Sequence, residues 1–200
     1  MLSRMTRVAC LLTVFVGLAL FSSSTEPSSS TKTQARRPDA PQLAPYVPTP
    51  QDVVDRMLVL AGVKKDDYVV DLGCGDGRIP ITAAQKYGAR GLGVDIDPER
   101  IAEANANAKA AKVEHLVTFA PQDALKTDVS KATVVTLYLL SASNLRLRPI
   151  LTRQLEPGAR IVAHNFSLGD WTPDKVDTFT DADGRVRSIY LYTADGKIRQ

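Results

Sequence analysis

Cysteine and histidine are scarce: the 200 residues hold two of each. Cys10 lies in an apolar N-terminal run and Cys74 in a glycine-rich stretch, so no intrachain disulfide is expected. No cluster has the ligand spacing of a metal site. An excess of one charge is also missing. The formal net charge is +3, and a chain cleaved after residue 25 would lose Arg4 and Arg7 and keep +1. That is no basic footprint, and no nucleic-acid partner is expected. The longest apolar run, Val8 to Phe21, is shorter than the roughly 20 residues a spanning helix needs. There is no internal repeat.

What is present begins with an address. "MLSRMTRVACLLTVFVGLALFSSST" has a basic start, an apolar centre and a serine-rich end, the order of a secretory signal. Residues 1–25 are therefore read as a signal peptide or signal anchor. The expected location is exported (periplasmic or extracellular) or membrane-tethered, and cytoplasmic if the segment is not used. Residues 26–45 are rich in Ser, Thr, Pro and Gln and are read as a disordered linker. Residues 46–200 remain as one domain with a real core.

In that domain "TPQDVVDRMLVLAGV" reads as a helix, with Thr49 as its cap, Pro50 in the first turn and Gly62 at its end. Strand-like and helical runs then alternate from "DYVVDLG" through "ATVVTLYLL", a helix through "RPILTRQLEPG", and "ARIVAHNF". The tail around "DADG" reads as a hairpin. The pattern predicts a Rossmann-like, doubly wound α/β fold: a mostly parallel seven-stranded sheet with an antiparallel edge hairpin.

In such a sheet a ligand sits at the carboxyl ends of the strands, which is where "VVDLGCGDGR" falls. Its spacing is D-x-G-x-G-x-G, so the third glycine misses the dinucleotide fingerprint, and no Gly-Lys-Ser or Gly-Lys-Thr follows for a phosphate loop. Asp71 and Asp76 flank the glycines; they repel a pyrophosphate and attract a ligand carrying an ammonium and a sulfonium. S-adenosyl-L-methionine is such a ligand. Asp71, Gly73, Gly75 and Gly77 are its candidate cradle, Asp95 its ribose contact and Asp123 its adenine contact. Each aspartate has an ordinary alternative as a helix cap.

"VVDLGCGDGR", "GVDIDPERI" and "PQDA" resemble motifs I, II and III of class I S-adenosylmethionine-dependent methyltransferases, with the similarity running from about Tyr46 to the end. "YVPTPQDVVDRML", "DLGCGDGRI" and "TVVTLYLL" are similar to small bacterial enzymes. Those enzymes are related to the mitochondrial lysine N-methyltransferases of the ATP synthase c subunit and the adenine nucleotide translocase. The resemblance implies methyl transfer to a protein lysine, with a membrane protein as one kind of partner, and puts Tyr46 and Thr49 near the transferred methyl. A small-molecule acceptor and a catalytically silent nucleoside-binding module stay open as alternatives.

On the acceptor side the fourth strand ends in "LYLLSASN", without the Asp-Pro-Pro-Tyr type of motif used on amide or base nitrogens. Tyr138 can orient an amine as the catalytic candidate, or be a half-buried strand tyrosine. In "HNFSLGDW" Asn165 and Trp171 are rim candidates, Trp171 equally a packing anchor, and His164 reads as a hydrogen-bonded strand-end histidine.

Overall fold

Short apolar runs bounded by glycine and aspartate become buried strands, and their order fixes where a ligand can sit. The computed structural model describes residues 42–200. Residues 1–25, read as a signal peptide or anchor, and the part of the expected linker up to residue 41 lie outside the described residues. The strands are β1 (Tyr68–Leu72), β2 (Arg90–Asp95), β3 (Val117–Pro121), β4 (Val134–Leu137), β5 (Arg160–His164), β6 (Lys175–Thr180) and β7 (Val186–Thr193). They form one sheet in the order β3-β2-β1-β4-β5-β7-β6. The first five are parallel; β7 runs antiparallel to β5, and β6 closes the edge as a hairpin with β7. This is the predicted architecture. Its chain order reverses between β1 and β4, so a crevice opens over their carboxyl ends.

Helices α1 (Gln51–Leu60), α2 (Arg78–Tyr87) and α3 (Pro98–Ala110) lie over one face, and α4 (Ser141–Gln154) over the other. Val53, Val54, Met57 and Leu58 recur at helical spacing and are fully buried against Val69, Val134 and Val162. Each such side chain stabilises the fold by about 1.5–3 kcal/mol. On the opposite face Leu147 and Leu151 pack on Val135, Leu137 and Ile161.

Two expectations are corrected. Thr49 does not cap α1: the N-cap is Pro50, extended at φ −54° and ψ 146° and without a side-chain cap. A residue before proline is held extended, which sets Thr49 one position outside the helix, buried. Asp52 serves the helix instead, its Oδ1 accepting from the Val53 N–H at 2.9 Å. The fourth strand ends at Leu137, not Leu140, and the helix after it starts at Ser141, earlier than its composition suggests. The Leu140 carbonyl accepts from the N–H groups of Ser143 and Asn144, starting α4 where the strand would have continued. Tyr138 and Leu139 are thereby released from the ladder into the crevice. No helix among the described residues is long and apolar enough to cross a membrane.

Candidate active site

The chain enters the domain across the crevice. Leu43 and Ala44 pack against the core, and the Leu43 carbonyl accepts from the Ser143 hydroxyl. Residues 42–45, read from composition as the end of the linker, thus form with Tyr46 to Thr49 a strap along one wall of a pocket. The space within the pocket is about 870 Å³, including space open to solvent.

The floor is the glycine loop. The N–H groups of Gly73 and Cys74 both donate to the Val94 carbonyl, at 2.8 and 2.9 Å, which ties the loop to β2. A Cβ at Gly75 would lie 2.5 Å from the Tyr46 ring, so only glycine lets the strap lie on the loop; its φ of +53° also disfavours a side chain. Asp95 joins loop and helix: its Oδ2 accepts from Gly75 N–H at 3.0 Å and its Oδ1 from Asp97 N–H at 2.9 Å. Each oxygen keeps a second lone pair for a ligand hydroxyl. Asp123 lines the same pocket and caps a short 3-10 turn, accepting from Leu125 N–H at 2.9 Å.

Asp71 ends up 2% exposed near the end of β1. The Thr136 hydroxyl donates to its Oδ1 at 2.7 Å. Burial raises its pKa to about 7, with Asp95 and Asp76 nearby pushing the same way against the Thr136 hydrogen bond. A carboxylate so placed gains by meeting a cation. Asp76 differs: burial pushes it up, but the Arg78 guanidinium outweighs that and holds it below the ordinary range. Arg78 Nη1 also donates to the Thr49 carbonyl at 2.6 Å, pinning the strap. The Arg100 guanidinium stands 4.7 Å over the Tyr46 ring.

Of the residues singled out in the sequence, Asp71, Gly73, Gly75, Asp95, Asp123, Tyr46, Thr49 and Tyr138 meet around this pocket. Three do not. Gly77 is a packing glycine: a Cβ there would lie 2.6 Å from Phe119 and 2.9 Å from Ala104. Trp171 is 9% exposed and packs on Tyr192, ring centroids 5.0 Å apart, with Arg199 over its face. Asn165 sits at φ +60° and joins β5 to β7, its Oδ1 accepting from Ser188 N–H at 3.2 Å. His164 is fully buried, but neither ring nitrogen has a hydrogen-bond partner among the described residues, contrary to expectation. Sequence reasoning missed Ser143, Arg78 and Arg100. The two arginines carried a signal, each following an acidic motif ("DGR", "DPER") as a basic residue in an acidic site. Among the described residues no group of acids, histidines and cysteine could hold a metal ion.

These features fit S-adenosylmethionine: a buried carboxylate short of partners for its ammonium, a glycine floor that a Cβ would fill, and Asp95 with open lone pairs for its ribose. Comparison with known proteins agrees. Residues 71–175 match the ANTKMT methyltransferase domain. A protein-lysine N-methyltransferase of Saccharolobus islandicus (strain REY15A) is 45% identical over 149 residues, 74% of this chain and 92% of its own. The human lysine N-methyltransferase of the ATP synthase c subunit is 30% identical over 132 residues, 66% of this chain and 56% of its own. The chain thus spans little more than half of that longer relative. The crystal structure of an RNA methyltransferase from Salinibacter ruber in complex with S-adenosyl-L-homocysteine is 49% identical, with a TM-score of 0.72 over 77% of this chain and 97% of that one.

Proposed function

We propose an acceptor for an enzyme whose family is plain: the chain belongs to the S-adenosylmethionine-dependent methyltransferases of the ANTKMT domain family, and the acceptor is a lysine side chain of a protein. The observation that carries this reading is charge. The pocket is lined by Asp71, Asp76, Asp95, Asp97 and Asp123 against Arg78 and Arg100, and those arginines are already paired with Asp76 and Glu103. A field of that sign draws a cationic cofactor and a lysine ammonium and repels phosphate.

When bound, S-adenosylmethionine supplies a methyl on a sulfonium, and in transfer the bond electrons return to sulfur. The residues of the chain do the rest. Asp71 would hold the ammonium end, Asp95 the ribose and Asp123 the adenine of the bound cofactor. Leu139 and the strap keep water from the reacting centre. Tyr138, which lines the pocket, is the polar group we assign to the acceptor, able to accept from an amine N–H. At the reacting centre the partly apolar mouth and the positive charge of a bound sulfonium offset the acidic lining, so the lysine ammonium gives its proton to solvent and the freed lone pair attacks the methyl.

The archaeal and vertebrate relatives act on lysine by name, which supports the reading; the vertebrate ones name the ATP synthase c subunit as what they act on. A signal anchor at residues 1–25 would hold the enzyme beside a membrane-protein substrate, and fractionation of the full-length chain tests that location. RNA is the competing acceptor, favoured by the 49% identity to the Salinibacter protein. Incubating the chain with isotopically labelled S-adenosylmethionine, a membrane-protein fraction and total RNA separates the two. The expected result is label on lysine Nζ in peptide mass spectra; label confined to RNA overturns the reading.

A further inference from the structure

Beyond the pocket, a row of polar side chains continues across the sheet at its carboxyl end. Asp71 meets Thr136 on β4; two residues on, Tyr138 lines the pocket. The Tyr138 ring lies against the His164 imidazole at the end of β5, with centroids 4.0 Å apart and planes at 31°. Behind them, on β7 and the β6–β7 turn, Arg187 Nε donates to Asp181 Oδ2 at 2.6 Å, and both are buried. Asp181 also accepts from Asp183 N–H at 3.0 Å and Arg185 N–H at 2.8 Å. Burial lowers the Arg187 pKa, but Asp181 and, after it, the Tyr138 hydroxyl outweigh that and raise it.

His164 makes no side-chain hydrogen bond among the described residues, although it is fully buried. A polar ring is costly in such a place unless something else is gained. Burial, and then the charge of Arg187, lower its pKa to about 4, with Asp181 opposing, so the ring is neutral at pH 7. A neutral flat ring can stack on Tyr138 without adding positive charge beside an incoming ammonium.

We infer that His164 is a positioning residue for methyl transfer: its imidazole holds the Tyr138 ring so that the hydroxyl faces the acceptor. The inference rests on the lysine reading of the site.

A double-mutant cycle on the full chain tests it. His164→Ala is expected to lower kcat about ten- to a hundredfold, the scale for a misplaced reacting group, while KM for a lysine peptide and calorimetric affinity for the cofactor hold. His164→Phe, which restores a flat ring, should recover most of kcat. In a Tyr138→Ala background His164→Ala should cost little more. Losses that multiply, or a phenylalanine variant as poor as the alanine one, overturn the inference. The Tyr138 ring resonances give an acceptor-independent readout. With S-adenosylhomocysteine bound, they should be displaced by the imidazole in the wild type and relax in His164→Ala; unchanged resonances overturn the stacking. A wild type that methylates no lysine would instead sink the lysine reading, leaving the resonances to decide the role of His164.

Discussion

Two aspartates bracket β1, and their difference separates scaffold from site. Asp67 immediately precedes the strand and Asp71 is its penultimate residue; both are 2% exposed. Asp67 accepts from Lys64 N–H and from the Thr133 hydroxyl, each at 2.8 Å, and pairs with Arg160. Arg160 also donates to the Ala61 carbonyl at 2.7 Å, which links α1, β1, β4 and β5 at the amino end of the sheet. Burial pushes Asp67 up, yet its hydrogen bonds and the guanidinium outweigh that and hold its pKa below the ordinary value. At the carboxyl end Asp71 has the Thr136 hydroxyl and two neighbouring carboxylates, and its pKa rises. A saturated buried carboxylate stabilises the fold; an undersupplied one is kept for a ligand, at a cost to stability.

The comparison can be broken most forcefully at its scaffold end. Asp67→Ala leaves Arg160 without its counter-charge and should cost about 3–5 kcal/mol in denaturant unfolding, with cofactor affinity unchanged in whatever fraction remains folded. At the site end Asp71→Asn should do the reverse, weakening S-adenosylmethionine binding by about 1.5–3 kcal/mol in calorimetry while leaving the melting temperature at pH 7.5 unchanged or higher.

The pH dependence of stability sharpens the contrast. The native state holds a proton on Asp71 that the unfolded chain releases near pH 4, so native stability falls as pH rises from about 4 to 7. Asp67 acts oppositely: its contribution is present above its ordinary pKa and is lost as pH falls through the lowered one. Thermal melts of Asp71→Asn against wild type should therefore show a gain that grows between pH 4 and 7. Asp67→Asn should show a loss that is largest at neutral pH and shrinks in acid. Asp95→Ala should weaken cofactor binding by about 1–3 kcal/mol, since its carboxylate both holds the Gly75 loop and faces the ligand. The smallest effect belongs to Trp171→Phe, which should leave cofactor affinity within about twofold, well under 1 kcal/mol, because Trp171 lies outside the pocket.

The site end was more legible in the sequence than the surfaces around it, for a physical reason. Gly73, Gly75, Asp71, Asp95 and Asp123 are read from local spacing, because strand, turn and helix lie next to each other in the chain. Gly77 belongs to the same motif, but what it touches is Phe119 on β3, a contact made only by folding. The strap was missed because residues 42–45 have the composition of a linker; Ser143 and the core, a hundred positions away, hold them. Thr49 looked like a cap until Pro50 took that position. Trp171 and Asn165 follow β5 in a segment that suggested a rim, and the returning hairpin draws them into packing with Tyr192 and Ser188. His164 defeated composition altogether, since the ring it lies against, Tyr138, is on another part of the chain.

The central claim is that the Asp71 end of β1 is held short of positive charge so that the cofactor supplies it. Titration of the chain with S-adenosylmethionine at pH 6.5, in buffers of different ionisation enthalpy, tests it most directly. At half a unit below a pKa of about 7, binding should release about three-quarters of a proton in the wild type and none in Asp71→Asn. Binding without proton release in the wild type would contradict the account, for Asp71 would then either be ionised before the cofactor arrives or keep its proton beside a filled site.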